Sequence, residues 1–147
     1  MKKVSVKKEK VENFDVRKAL IIPINSKLQI LIQDRRGYKK PDWGYFGGSI
    51  EKSETPLQAV IRETKEELDI DIKEEDLKYL CTSETDWDGQ KIIRYMYLYP
   101  TEQIEFNVKE GRGGHWFSFE EARKLLNAKD RFDEFIAKIK QVMSDNK

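Results

Sequence analysis

The chain has one cysteine, Cys81, and one histidine, His115. A single thiol excludes an internal disulfide and fits a reducing, cytoplasmic compartment. Cys81 ends the apolar run from Leu77 and reads as a core residue rather than a nucleophile. No apolar stretch approaches the roughly twenty residues that span a bilayer. Nothing apolar follows the Met1-Lys2-Lys3 start, so neither a membrane anchor nor a secretory signal is expected. An excess of one charge is missing too: 28 Lys and Arg against 27 Asp and Glu leave a net charge of +1. That balance gives no global pull toward nucleic acid or an anionic membrane. An anionic substrate would have to be drawn by local basic groups or by metal. Repeats and low-complexity linkers are absent. At 147 residues the chain reads as one domain, 1–147, long enough to bury a core.

Residues 1–14 are charged and weakly patterned, a loose arm or an extra strand. Val16 to Ile24 and Lys27 to Gln33 read as strands joined at Asn25-Ser26, with Pro23 marking an edge or a bulge. A basic loop with Arg35, Arg36, Lys39 and Lys40 leads to a short strand, Trp43 to Phe46, and a glycine turn at Gly47-Gly48. Leu77 to Glu84 and Lys91 to Tyr99 read as a hairpin whose turn signal is Asp88-Gly89. Gly111 to Gly114 reads as a flexible turn before a short strand, His115 to Phe117. Ser118 and Glu121 form a capping box for a helix to about Leu126. A last amphipathic helix runs from Asp130 to about Ser144. Strands with a helix between them and helices at the end suggest an α/β fold, a mixed sheet covered on both faces.

The stretch 48–70, GSIEKSETPLQAVIRETKEELDI, carries the chemistry. Thr55 is a good N-cap, and Pro56 suits the first helical position. Leu57, Val60, Ile61, Thr64 and Leu68 form one apolar stripe at helical spacing. Glu63, Glu66 and Glu67 fall in another sector. There they repel one another by about 0.2–0.5 kcal/mol per pair. Glu66 and Glu67 also stand at the negative end of the helix dipole. A hard divalent cation would reverse that cost, since Mg²⁺ wants oxygen ligands and works beside substrate phosphates. On the glutamates alone, a solvated helix face and a cation site are both open.

The register of the flanking residues decides between them. The segment resembles the box of the Nudix hydrolases, G-x5-E-x7-R-E-U-x-E-E-x-G-U, with Gly48, Glu54, Arg62, Glu63, Glu66, Glu67 and Ile70 in place. Thr64 stands where an aliphatic is usual, and Asp69 replaces the second glycine. Trp43 to Gly48 resembles the family's W-x-x-P-G-G approach, with Phe46 in place of proline. Glu110-Gly111 and Trp116 to Ala122 are similar to the family's strand-into-helix ending. The resemblance covers about Val16 to Leu126. None of the departures removes a needed charge, although Asp69 in a left-handed cap costs about 1 kcal/mol.

The resemblance implies an α-β-α sandwich around a mixed sheet. It also implies Mg²⁺- or Mn²⁺-dependent hydrolysis of a nucleoside diphosphate linked to another group. A nucleoside triphosphate or modified nucleotide, in a housecleaning role, is the default substrate. The alternatives are a nucleotide sugar, a ligand-binding or regulatory domain without turnover, and RNA-end processing, which the charge balance disfavours. No marker of coenzyme A or NADH members is evident. Asp86-Trp87-Asp88 offers no tyrosine where a diadenosine polyphosphate hydrolase would have one.

Glu63, Glu66 and Glu67 are the implied metal ligands, with the Gly47 backbone close by. Arg62 is the implied orienting arginine. Glu67, Glu54 or Glu110 would serve as base, and Glu102 is a weaker candidate. Arg35 or Arg36 suits phosphate, because guanidinium donates two parallel hydrogen bonds. Tyr95, Tyr97 and Tyr99 share one strand face, and Tyr95, Trp43, Tyr45 or Trp87 would stack a base. His115, beside Trp116, reads as structural. A homodimer is expected only because many members of the family are dimers.

Overall fold

The computed structural model describes residues 14–109, 111–127 and 132–145, except the side chain of Trp87. Residues 1–13, Glu110 and Asp130 lie outside the described residues, and with them the expected arm, one candidate base and the expected start of the last helix.

The central strand is β1 (Val16–Ile24), buried along its last six residues on both faces. On one edge it runs parallel to β6 (Gln90–Pro100), from Val16 opposite Ile92 to Ile24 opposite Pro100. Its other edge is shared. Lys18 to Ile21 pair with β4 (Phe46–Ser49), and Ile24 pairs with Ile30 of β2 (Ile30–Asp34). Pro23 was expected at an edge or a bulge, but it sits in this central strand. It falls in the interval between those two partners, where a missing N–H interrupts the ladder least.

The chain from β3 (Trp43–Gly44) to β4 bridges β2 and β1. Gly47 and Gly48 therefore do not form a turn. They lie inside β4, opposite Leu20 and Ala19. The strand expected at 43–46 is broken at Tyr45 into β3 and β4, and β4 runs on through both glycines because β1 supplies the pairing. β5 (Lys78–Trp87) closes the far edge against β6 through a two-residue turn. Asp88 and Gly89 both have positive φ, 51° and 77°, as a tight hairpin requires. β7 (Gly114–Phe117) pairs with β2.

Helices cover both faces. α1 (Pro56–Leu68) packs Ala59, Val60 and Leu68 against Ala19 and Ile21. α2 (Phe119–Leu125) and α3 (Phe132–Asp145) pack on the opposite face, where Ala122, Phe132, Ile136 and Ile139 meet Leu20, Ile22 and Ile24. Alternation along β1 thus builds two cores, and the sandwich expected from the sequence is the architecture observed. Among the described residues no helix is long and apolar enough to cross a membrane.

The departures from the family pattern are absorbed locally. Phe46 is fully buried and packs in the α1-side core. Thr64 is fully buried too, and its Oγ1 donates to the Val60 carbonyl at 2.6 Å. Asp69 takes the left-handed cap, φ 56°, that glycine would take, and its carboxylate accepts from Asn107 Nδ2.

Candidate active site and adjoining cavity

α1 begins with a reciprocal cap: Gln58 N–H donates to Thr55 Oγ1, and Thr55 N–H donates to Gln58 Oε1. This fixes the helix start next to Glu54. Two turns on, Arg62 reaches back to that carboxylate, with Nε 2.7 Å from Oε2 and Nη2 2.9 Å from Oε1. Its Nη2 also donates to the Ser49 carbonyl at 3.0 Å, and Nη1 donates to Glu63 at 3.0 Å and to Glu66 at 3.4 Å. One guanidinium thus ties the helix to the end of β4. Arg62, and then the Glu51 N–H, hold the Glu54 carboxyl down at about 2. The same pairing raises Arg62 above its ordinary value. A carboxylate held that low is a poor proton acceptor near neutral pH. Glu54 is therefore suited to orienting Arg62 and less suited to general base.

Glu67 is buried, 7% exposed, and accepts a 2.8 Å hydrogen bond from the Gly47 N–H. Gly47, φ 139°, leaves no room for a side chain: a Cβ there would lie 2.8 Å from Leu20 Cα. A Cβ on Gly48 would lie 2.5 Å from the Glu63 carboxylate. The two glycines thus let Glu67 and Glu63 approach the strand backbone. Among the described residues no three acidic, histidine or cysteine side chains are gathered closely enough to hold a metal ion. Arg62 cross-links Glu54, Glu63 and Glu66 instead. The donor set of Glu63, Glu66 and Glu67 is nonetheless all carboxylate oxygen, which suits Mg²⁺ or Mn²⁺.

A cavity of about 540 Å³ lies on the other face of the sheet, between β1, β6 and α3. Trp43, Tyr45, Phe132 and Phe135 wall it, and Arg35 lines it. Arg35 Nε donates to Gln33 Oε1 and Nη2 to the Tyr45 carbonyl, which holds the guanidinium against Gly44. Burial pushes the Tyr45 phenol up.

Arg36 does not line the cavity. Its guanidinium pairs with Asp34 at 2.8 Å and lies over the Trp43 ring, 4.8 Å from the centroid. Tyr95 is not there either. It sits opposite Ala19 on the α1 side of the sheet, since alternation sends neighbouring Arg94 and Met96 to the cavity. Glu102 caps the β1–β2 turn, accepting from Ser26 N–H and Oγ, and is committed away from the box.

Asp34 was missed from the sequence. It is 2% exposed, and the Arg36 hydrogen bond holds its carboxyl at about 2. Arg112 and His115 each come within 4.0 Å of it. The Asp34 backbone pins the Gly111–Gly113 turn through two 2.9 Å hydrogen bonds, so that turn is anchored rather than loose. A charge ending an otherwise apolar strand was the available signal.

The family model for the NUDIX domain matches residues 15–139. The chain therefore belongs to the Nudix family. Among curated proteins it is 26% identical over 106 residues to a protein of Pectobacterium carotovorum named NAD-capped RNA hydrolase NudC. The match covers 72% of this chain and 40% of that protein. A Haemophilus influenzae protein of the same name matches at 26% identity over 124 residues, 75% of this chain and 46% of that one. The chain spans less than half the length of these relatives. Among solved structures, a Caenorhabditis elegans Ap4A hydrolase aligns with a TM-score of 0.68 at 20% identity, covering 88% of this chain and 98% of that one. The Escherichia coli dihydroneopterin triphosphate pyrophosphohydrolase aligns at 0.66 and 22% identity, covering 87% and 95%. At such identity these likenesses speak for the fold alone.

Proposed function

We propose that this protein is a divalent-metal-dependent pyrophosphohydrolase acting on a small nucleotide, of which a nucleoside triphosphate or modified nucleotide is the favoured kind. The supporting observation is the Arg62 network, with Glu67 hydrogen-bonded to the glycine strand beside it. In this reading Glu63, Glu66 and Glu67 hold Mg²⁺ or Mn²⁺, with the Gly47 backbone alongside. The metal, when bound, neutralises phosphate charge and lowers the pKa of a water. Arg62, anchored on Glu54 and the Ser49 carbonyl, fixes the aim of Glu63 and Glu66. Glu67 takes the water proton, with Glu110 as the other candidate base. The water oxygen bonds to one phosphorus as that atom's bond to the bridging oxygen breaks, giving two phosphorylated products. The nucleoside sits in the cavity against Trp43 and Tyr45.

A second reading comes from the curated relatives' printed name, which puts NAD-capped RNA among the substrates to test. The test is product release from a panel of nucleoside triphosphates, nucleotide sugars, NAD and NAD-capped RNA with Mg²⁺ or Mn²⁺. Turnover should fall a hundredfold or more in Glu67→Gln, about 2.7 kcal/mol in barrier. Unchanged turnover in that variant would remove Glu67 from the site, and no turnover on any substrate would favour a binding domain.

A further inference from the structure

The cavity wall is basic out of proportion to the chain. Its described lining residues include Lys18, Arg35, Lys39, Lys40 and Arg94, and no carboxylate is among those described. The whole chain carries only +1, so this is a local concentration rather than a reflection of composition. Lys40 is neutralised by Asp42, 2.8 Å away. Among the described residues Lys18, Lys39 and Arg94 make no ion pair. Arg94 has only a hydroxyl partner, Thr85 Oγ1.

Lys18 and Arg94 are held in the sheet itself, opposite each other on β1 and β6. Burial lowers the Lys18 pKa, and Arg94, Lys39 and Arg35 lower it further by repulsion. Lys18, Lys39 and Arg94 repel one another and find no carboxylate among the described residues, which is what a site for a polyanion looks like before the polyanion arrives.

Position adds direction. Lys18 pairs across the sheet with Ser49, and the Ser49 carbonyl takes the hydrogen bond from Arg62. The basic end of the cavity therefore adjoins the box, while Phe132 and Phe135 wall the helix side.

We propose that Lys18, Lys39 and Arg94 form a phosphate clamp that selects nucleotides with three or more linked phosphates over diphosphates joined to a neutral sugar. The proposal rests on the pyrophosphohydrolase reading for turnover, but the clamp itself is a binding device independent of metal. These three cations suit the negative charge of a linked triphosphate better than that of a diphosphate. A nucleotide sugar carries two negative charges and would leave part of this half-buried basic wall unmatched, at a penalty in affinity. Lys18, Lys39 and Arg94 act on binding and not on the chemical step.

The experiment uses the full chain in EDTA and titrates three probes by calorimetry. These are the α,β-methylene analogue of adenosine triphosphate, UDP-glucose and AMP. The analogue should bind at least tenfold more tightly than UDP-glucose or AMP, and its Kd should weaken steeply with salt. Lys18→Met and Arg94→Met should each weaken the analogue about tenfold and UDP-glucose less than threefold. Both should keep or raise Tm, because each removes a repulsion, whereas loss of a structural ion pair would lower it. Lys39→Met, on the loop, gives the same readout without touching the sheet. With Mg²⁺, triphosphate turnover in these variants should show a raised KM at little-changed kcat. Equal affinity for the three probes, or equal weakening of all three in the variants, overturns the clamp. Absence of turnover with the binding preference intact overturns the pyrophosphohydrolase reading and leaves the clamp standing.

Discussion

The Gly47 amide donates a 2.8 Å hydrogen bond to Glu67 Oε1, joining a strand of the sheet to the last turn of α1. That bond needs the backbone of β4 to lie against β1 with no side chain between. The two glycines of the segment consequently predict different failures. Gly47→Ala puts a methyl into Leu20 at a positive φ, so strain and overpacking add. Destabilisation of about 2–5 kcal/mol is expected by urea unfolding. Gly48→Ala meets first the Glu63 carboxylate, a side-chain end that Arg62 holds, rather than backbone. Its stability should change by about 1 kcal/mol or less, while activity falls at least tenfold.

Arg62→Lys tests the orienting network. Lysine keeps the charge but cannot serve Glu54, Glu63 and the Ser49 carbonyl together. Activity should fall about 10–100-fold, and the metal concentration giving half-maximal rate should rise. An unchanged metal requirement would show that the carboxylates are held by something else.

Acid should act through Glu54. Folding lowers its carboxyl from 4.5 to about 2. A carboxyl lowered by folding stabilises the fold above its unfolded pKa, and that contribution disappears as pH falls toward the folded value. The Glu54–Arg62 contribution is therefore full above about pH 4.5 and lost between there and about pH 2. Glu54→Gln should flatten the stability profile over that window. Unfolding followed by circular dichroism at stepped pH, with identical slopes in both proteins, would count against the pairing.

Phe46 stands where the family's proline is usual, and it is fully buried. Phe46→Ala should cost about 3–5 kcal/mol by the cavity it leaves. Phe46→Pro should cost at least as much, since it vacates the same space within a paired strand. Asp69→Gly, by contrast, relieves a left-handed cap and gives up only exposed contacts to Lys65, Lys109 and Asn107. Stability should be unchanged or rise by up to about 1 kcal/mol, as read from urea midpoints.

The sequence was most legible where interactions are short in the chain. The α1 stripe, the Thr55 cap, the Ser118–Glu121 capping box and the Asp88-Gly89 turn all appear in the structure as read. It was least legible where pairing is long-range. Gly47-Gly48 looked like a turn because glycine is rare in strands, but β1 recruits it into the sheet. Tyr95 looked like a base platform because it alternates with Tyr97 and Tyr99, but alternation names a shared face without saying which layer that face meets. Arg35 and Arg36 were indistinguishable as neighbours. Only the structure sends one to the cavity and the other to Asp34.

What the sequence alone determined is the register of Arg62, Glu63, Glu66 and Glu67 on one capped helix, with Glu54 just before its cap. Helical periodicity and side-chain caps act within a few residues, so spacing suffices to state them. What only the tertiary structure decided is the cavity and its basic wall. Lys18, Arg35, Lys39 and Arg94 come from β1, β6 and the loop after β2. They meet because the parallel pairing of β1 with β6 sets Lys18 opposite Arg94. No hairpin turn joins these two strands, so nothing close in the chain fixes their offset, and the pairing is settled only when the sheet assembles.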